Sequence, residues 1–454
     1  MEQKKKGSLK STITVSLTNY LDAGSIVAGA SGLTLWQNYL GLTETNLGWL
    51  NALSANCFGA ALGAIIGGRL ADKYGRKTIY SYNMLLYMLG VGIILFSFNF
   101  HMLLAGFLIT GISVGVGVPA SWTYISETSE ASNRGRNIGI SQLAWSVGPA
   151  IIFLFGWLFS PTGPLGNEVH RLGAFILQTS DVAALNLFGN RLIFFTLFIV
   201  ALIAWLLQRR LGESSEWVEL KAQKTVTKQE HPYKELLTNL INVKTIVFLV
   251  SIYLTWNFVA GAMGFFMPHV YETAGGLSNE TANFLQMAMW GLTSLFSFVG
   301  FALLADKVNQ RFLYAFGTLL GVAAWVVLTF VGITNTTALW AFVVLWGIHA
   351  GFGVQAFYAL WASELFHARY RAAAQGIMFF IVRGGAAIWS FIFTGVYASA
   401  GFYTAGYIMV GLLVIALVVG VIRTPETRGK TLKQISEERY PTPKSPEGDF
   451  TAVK

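Results

Sequence analysis

The sequence has very little charge for its length. Only 12% of its 454 residues are Asp, Glu, Lys or Arg, whereas 54% are hydrophobic. A soluble globular domain carries roughly twice that share of charged residues. The composition therefore excludes an ordinary soluble protein and indicates a membrane protein.

Cysteine and catalytic motifs are also lacking. Cys57 is the only cysteine, which excludes an internal disulfide framework. The sequence contains no metal-ligand cluster, no nucleophile elbow and no phosphate-binding loop followed by Lys-Ser/Thr. We therefore expect neither an enzyme nor a protein that holds a metal or cofactor.

Long apolar segments make up most of the chain. Crossing about 30 Å of hydrocarbon takes roughly 20 residues as a helix, and runs of that length lie near residues 12–35, 47–70, 78–98, 101–125, 137–159, 190–210, 243–270, 282–304, 312–332, 337–362, 372–398 and 402–422. In lipid such runs must satisfy their own backbone hydrogen bonds, which helices do. The sequence predicts an all-α membrane protein with twelve transmembrane helices.

The basic residues predict the orientation in the membrane. Of 31 Lys and Arg residues, all but Arg171, Arg191 and Arg383 fall on one side of the predicted helices. By the positive-inside rule this side is the cytoplasm, and it contains both termini. The net charge of +9 thus reflects topology rather than nucleic-acid binding. We expect a cell-membrane protein, of the inner membrane if bacterial, with residues 160–189 forming an external loop.

Two charged motifs occur twice, about half a chain apart. Leu-Ala-Asp-Lys at 70–73 recurs at 304–307, and Ser-Glu at 126–127 recurs at 363–364. Duplicated halves are typical of transporters, whose substrate site lies between them near the membrane midplane. We predict two pseudo-symmetric six-helix bundles, at 1–210 and 243–422, with a cytoplasmic linker at 211–242 and a cytoplasmic tail at 423–454.

These motifs resemble those of a known family. Gly68, Asp72, Gly75 and Arg76 match the signature between helices 2 and 3 of the major facilitator superfamily. The motifs at 124–136, 363–371 and 425–432 are similar to those of its sugar porter family. The resemblance implies alternating access, with a latch of charged residues joining the cytoplasmic helix ends in one state: Asp72, Arg76, Glu127, Arg134, Glu213, Glu364, Arg371 and Glu426. The alternative is a set of solvated loop charges, worth about 0–1 kcal/mol apiece.

Asp22 lies in the middle of the first predicted helix, where a charge is costly and is by default a functional hypothesis. It resembles the aspartate that proton-coupled sugar porters protonate and deprotonate. A structural carboxylate, hydrogen-bonded to Asn19 or a backbone group, is the alternative. The arginine that those symporters carry opposite this aspartate is replaced by Phe107. Either Asp22 works with another cation, or coupling is altered or lost.

Arg383 is the second charge inside a predicted helix. A guanidinium cannot be neutralised in the membrane, so it requires an anionic partner. It would bind an acidic sugar or another organic anion, or it would pair with Asp22. A snorkelling or packing arginine is the alternative.

Amide and aromatic side chains in the helices form the predicted substrate site. Amides satisfy both donors and acceptors of hydroxyl groups, and aromatic faces stack on sugar rings. By resemblance and spacing the candidates are Gln142, Trp145, Trp256, Asn257, Phe265, Gln355, Tyr358, Trp361 and Arg383. For any one tryptophan, a packing or membrane-interface role is the alternative.

The sequence thus predicts a secondary active transporter of a sugar or related hydroxylated solute, with proton symport through Asp22. Its expected partners are a sugar, polyol or sugar acid, H+ and the lipid bilayer, and we expect a monomer that binds no nucleic acid. The alternatives are an organic-anion or sugar-acid transporter that uses Arg383, a nutrient sensor that transports nothing, and a passive pore.

Overall fold

The computed structural model describes residues 2–74, 76–128, 134–209, 236–305, 307–367, 371–430 and 432–440. The first half of the fold consists of α1 (Glu2–Ala30), α2 (Leu33–Leu40), α3 (Glu44–Leu53), α4 (Phe58–Tyr74), α5 (Arg76–Leu95), α6 (Phe100–Thr128), α7 (Arg134–Phe159), α8 (Gly166–Leu177) and α9 (Val182–Gln208). The second half consists of α10 (Leu240–Thr273), α11 (Asn279–Phe296), α12 (Gln310–Val331), α13 (Thr336–Phe352), α14 (Val354–Glu364) and α15 (Arg371–Arg423), followed by α16 (Leu432–Arg439).

These helices confirm the predicted fold class. In the described part of the chain, nine helical segments are long and apolar enough to cross a membrane. The last of them contains two helices, which meet at Gly401 with a left-handed φ of 75°. Glycine adopts this conformation without the steric cost that a Cβ imposes. Helices α1 and α5 complete a set of twelve.

Polar residues mark where several helices begin. Asp181, Asn239, Ser278 and Asn335 each accept a hydrogen bond from a backbone N–H in the first turn of the following helix. Such caps satisfy donors that the helix itself leaves unpaired. The residue just before each helix therefore helps to fix where α9, α10, α11 and α13 begin.

Four predicted segments differ from the simple expectation of one helix or one loop each. The segment 160–189, expected to be a loop, contains α8, although Pro161 and Pro164 stand just before it. The first predicted helix is interrupted between α1 and α2, the second between α3 and α4, and the tenth at Gly353 between α13 and α14. These three interruptions lie inside apolar segments, where periodic hydrophobicity alone does not reveal them.

The two halves meet along several helix pairs. Helix α7 packs against α11, α1 against α10, and α3 and α4 against α15. Within the first half, α1 packs against α7, and α4 packs against α6. Buried residues of both halves form one continuous core, and the pairs of helices that join the halves surround the central site.

Glycine allows α4 and α6 to approach closely. A Cβ at Gly115 would overlap the carbonyl oxygen of Ala60, and a Cβ at Gly63 would overlap that of Ile112. In lipid, where no hydrophobic effect drives helices together, such close packing is a main source of association. Glycine in α4 and α6 therefore lets the backbones of the two helices lie in direct contact.

We predict that Gly115→Ala lowers the thermal unfolding midpoint in detergent, because backbone atoms cannot move aside as a side chain can. Overpacking of this kind costs about 1–3 kcal/mol. Gly411→Ala is the matched control, since a Cβ there meets nothing within 4 Å and alanine is the better helix former. Equal midpoints for the two variants would contradict the prediction.

Candidate functional site

A cavity lies between the two halves. Helices α1 and α7 contribute its wall from the first half, and α10, α11, α13, α14 and α15 contribute from the second. Five sequence-predicted residues line it: Trp145, Trp256, Asn257, Gln355 and Arg383. A mostly apolar chamber with a few convergent polar groups is typical of a small-molecule site.

Arg383 is held across the boundary between the halves. Its side chain is 4% exposed, and its Nη1 donates to the backbone oxygen of Asn56 at 2.7 Å and to Asn56 Oδ1 at 3.2 Å. The guanidinium also lies over the ring of Phe379, 5.0 Å from its centroid. Its Nε has no hydrogen-bond partner among the described residues. Arg383 is therefore hydrogen-bonded to the first half through Nη1, while its Nε has no hydrogen bond among the described residues.

The interruption between α3 and α4 supplies the acceptors for Arg383. The Ser54 hydroxyl donates to the carbonyl of Asn51 and accepts from the N–H of Asn56, which replaces helical hydrogen bonds locally. The Asn56 amide then donates to the carbonyl of Gly261 in α10 at 2.9 Å, and Asn51 donates to Ser390 in α15 at 2.9 Å. Polar groups of this break thus join the first half to two helices of the second.

Asp22 is 1% exposed and lies beside the cavity, behind Trp145. Its Oδ2 accepts a hydrogen bond from Trp145 Nε1 at 3.0 Å, and its Oδ1 has no partner among the described residues. Asn19, the alternative partner considered for Asp22, is bound to Ser141 and Ser121 instead. In the described part of the chain no ion pair joins Asp22 to Arg383, so different neutral partners hold the two charges.

Aromatic rings form the wall on the side of the second half. Trp256 Nε1 donates to His349 Nε2 at 2.8 Å, so His349 must donate from Nδ1, which lies 2.7 Å from the carbonyl of Gly317. Trp256 stacks on Tyr253, which stacks on Tyr358 with 3.9 Å between ring centroids. This arrangement fixes the Trp256 ring at the cavity surface.

Three residues that line the cavity carry polar atoms without partners. The buried Oδ1 of Asn257 and the indole nitrogens of Trp290 and Trp346 have no hydrogen-bond partner among the described residues. An unpaired buried polar group is costly, so these atoms are candidates for hydrogen bonds that form when the cavity opens to a ligand.

Four predicted substrate residues lie elsewhere. Phe265 packs against Phe107 with 6.3 Å between ring centroids, and Tyr358 lies behind Tyr253. Trp361 is fully buried and donates to Gln310 Oε1 at 3.1 Å. Gln142 is 7% exposed in α7 but does not contribute to the cavity wall.

Sequence reasoning missed several residues that line the cavity, among them Asn56, Tyr253, Trp290 and Trp346. Tyr253 precedes Trp256 and Asn257 by one helical turn, so helical spacing was a usable signal. Asn56 was also detectable as a polar residue in the middle of an apolar segment. Trp290 and Trp346 have no such signal, since tryptophan occurs equally on packed and lipid-facing surfaces.

The predicted latch is described only in part. The side chains of Asp72, Arg76, Glu127, Arg134 and Glu213 lie outside the described residues. Arg371 donates to the carbonyl of Phe366 at 3.2 Å. Glu426 lies 3.6 Å from Arg428 Nε in its own loop. Glu364 is partly buried at the end of α14, and the latch stays a prediction.

The end of the bundle where α1 and α10 terminate is closed by bonds between the halves. The carbonyl oxygen of Ser31 accepts from the amides of Asn279 and Asn283, each at 3.1 Å. His269 in α10 lies 3.1 Å from Thr34 and 3.3 Å from the Glu44 carboxylate. These contacts separate the central cavity from that end of the molecule.

The chain is similar to known transport proteins over most of its length. Residues 13–390 match the family model described as Major Facilitator Superfamily. The minor myo-inositol transporter IolF of Bacillus subtilis is 41% identical over 442 residues, which cover 96% of this chain and 95% of the relative. The arabinose-proton symporter of Escherichia coli is 26% identical over 306 residues, which cover 64% of this chain and 61% of the relative.

Solved structures show the same fold. The proton:xylose symporter XylE bound to 6-bromo-6-deoxy-D-glucose superposes with a TM-score of 0.73 at 18% identity, covering 96% of this chain and 99% of that one. A partially occluded inward-open conformation of XylE gives a TM-score of 0.70 at 18% identity, covering 94% of this chain and 100% of that one.

We predict that loss of the Arg383 bonds exposes Cys57. This cysteine is fully buried, packs against Ala386 and Ala387 of α15, and lies one residue from Asn56. Hydrogen bonds to charged groups contribute about 1.5–3 kcal/mol. Arg383→Gln should therefore raise the rate of maleimide labelling of Cys57 in detergent by about tenfold or more.

Arg311→Gln is the control for this labelling experiment, because it removes the same charge from an exposed position on α12. It should label at the unmodified rate. Equal labelling rates for Arg383→Gln and the unmodified protein would show that the tie to Asn56 does not hold the halves together.

Proposed function

This chain belongs to the major facilitator superfamily, and from that premise we propose that it moves a cyclic polyol or sugar across the membrane by alternating access to one central cavity. The full-length likeness to a myo-inositol transporter carries this proposal. Substrate would enter the cavity from one side and leave from the other as the halves rock about it. The bonds at Ser31 and His269 would close one of the two exits.

The chemistry of the cavity supports a hydroxylated ring as substrate. Gln355 and Asn257 offer amide donors and acceptors, and Trp145, Trp256 and Trp346 offer flat apolar faces. Amides match the mixed donor and acceptor character of hydroxyl groups. Aromatic faces suit the C–H side of a six-membered ring, so this set of groups favours a neutral polyol.

Proton symport is the transport mode we propose, with Asp22 as the proton carrier. Its burial disfavours the ionised form, and an unpartnered Oδ1 leaves room for a proton. A membrane-embedded carboxyl of this kind is by default a candidate for proton relay. Asp22 would take a proton together with the substrate on one side and release both on the other.

We further propose the orientation that the basic residues favour, with both termini in the cytoplasm of a cell membrane, the inner membrane in a bacterium. The bilayer surrounds the helices, and each chain functions as a monomer because its own two halves complete the cavity. The end of the bundle that contains Glu44 and His269 would then face the outside.

Uptake into proteoliposomes tests the function. We expect myo-inositol or a neutral sugar to accumulate when the interior is alkaline, and Asp22→Asn to abolish accumulation while substrate exchange across the membrane persists. The panel should include neutral sugars, polyols and sugar acids. Counterflow distinguishes a carrier from a passive pore, and saturable binding without any exchange would indicate a sensor. Uptake that is the same with and without the pH gradient, and the same in Asp22→Asn as in the unmodified protein, would refute proton coupling.

An organic anion or sugar acid is the second candidate substrate, because Arg383 lines the cavity and its Nε has no hydrogen-bond partner among the described residues. A carboxylate there would form a charge-assisted hydrogen bond. We expect sugar acids, if they are substrates, to lose uptake in Arg383→Ala far more than myo-inositol does. Neutral-sugar uptake that survives Arg383→Ala unchanged, with no sugar-acid uptake by either protein, would exclude the anion function.

A further inference from the structure

Trp145 contacts the carboxyl group, the cavity and the opposite half at once. Its Nε1 donates to Asp22, its ring lines the cavity, and it meets Trp290 of α11 edge-to-face with 5.6 Å between ring centroids. We propose that Trp145 is the positioning residue that couples the proton to the substrate. This inference rests on the proposed function, since it needs Asp22 to carry the proton.

The backbone holds Trp145 in this position. One turn further along α7, a Cβ at Gly148 would overlap the carbonyl oxygen of Tyr20, so glycine lets α7 lie directly against α1. That close contact sets the indole of Trp145 opposite Asp22. The hydrogen bond to Asp22 is thus a product of helix packing.

Other titratable or charged groups surround Asp22 without hydrogen-bonding to it. Among the described residues these are Tyr20 on its own helix, Tyr87 on α5, Tyr253 on α10 and Arg383 on α15. The Tyr87 hydroxyl contacts Ser25 and donates to the carbonyl of Leu21, Tyr253 stacks between two rings, and Arg383 is bound to Asn56. Arg383 and Tyr253 also line the cavity, and the charge of Arg383 acts on Asp22 from a distance. The indole N–H is the direct hydrogen bond to Asp22 that a ligand in the cavity can replace.

The hydrogen bond from Trp145 favours the ionised form of Asp22. A donor bonded to a carboxylate gains about twice the free energy of a bond to a neutral acceptor. A substrate hydroxyl that takes up the indole N–H, or a ring that displaces the indole, leaves the carboxylate without this donor in a dry site. Protonation then becomes more favourable.

Thermodynamic linkage between proton binding and substrate binding makes this contact a basis for symport. If substrate promotes protonation of Asp22, protonation must promote substrate binding by the same factor. Trp145 would thus perform the coupling although Phe107 stands where an arginine was expected. Phe107 packs instead against Phe194 and Phe265, with 6.2 and 6.3 Å between ring centroids.

Trp145→Phe tests the proposal, because it keeps an aromatic ring and removes the N–H. Without the donor the ionised carboxylate is less stable, so the pH at which uptake is half-maximal should rise by about 1–2 units. Trp389→Phe is the control, since its indole nitrogen has no hydrogen-bond partner among the described residues and the residue does not line the cavity. It should leave the pH midpoint unchanged.

A second measurement does not depend on the transport activity of the variants. In lightly buffered detergent near the pH midpoint, myo-inositol should cause the unmodified protein and Trp389→Phe to take up protons. Trp145→Phe should take up markedly fewer, and Asp22→Asn none. Proton uptake by Asp22→Asn equal to that of the unmodified protein would refute the proposed proton carrier itself. If Asp22→Asn takes up no protons while Trp145→Phe shows the proton uptake and the pH midpoint of the unmodified protein, only the role of Trp145 is overturned.

Discussion

The bond between Arg383 and the backbone of Asn56 is the interaction on which the centre of the structure depends. A guanidinium keeps its charge even in the membrane, so the fold must provide acceptors for it. Here the acceptors come from a gap in the second transmembrane segment, where the carbonyl oxygen of Asn56 is not used by a helix. The free-energy cost of burying the charged arginine is thus offset by acceptors that an interrupted helix of the opposite half provides.

That arrangement separates the two buried charges of the site. Asp22 is bound by an indole and Arg383 by an amide and a carbonyl, so neither is neutralised by the other. A direct ion pair would have fixed both groups at once and left no charge free to respond to a ligand. With neutral partners, each group contributes a modest interaction that a substrate or a proton can replace.

The fold was largely predictable from the sequence, because runs of apolar residues must cross the bilayer as helices. Residues that lie at or beside the cavity were predictable where a polar or charged group interrupts such a run, as with Asp22, Asn257, Gln355 and Arg383; their roles in binding stay predictions. Which way a ring faces depends on how twelve helices rotate against one another, and helical spacing alone does not fix that rotation. Trp361 therefore faces Gln310 inside the second half instead of the cavity.

Local interruptions were the hardest feature to foresee. The break between α3 and α4 arises from a serine hydroxyl that replaces backbone bonds, together with acceptors that only the folded partner half can use. A serine in an apolar segment does not by itself predict such a break, and the acceptors become useful only when the other half is in place. The amphipathic helix α8 was missed for a different reason, because it lies in a segment rich in loop-forming residues.

A transmembrane segment that is interrupted between two helices does not behave as one stiff lever. Tilting of α4 at one end of the bundle need not tilt α3 at the other, because helical hydrogen bonding is interrupted between them. If the halves rock as proposed, the two ends of the central cavity can close one after the other, and a state with both ends closed then lies between the two open states.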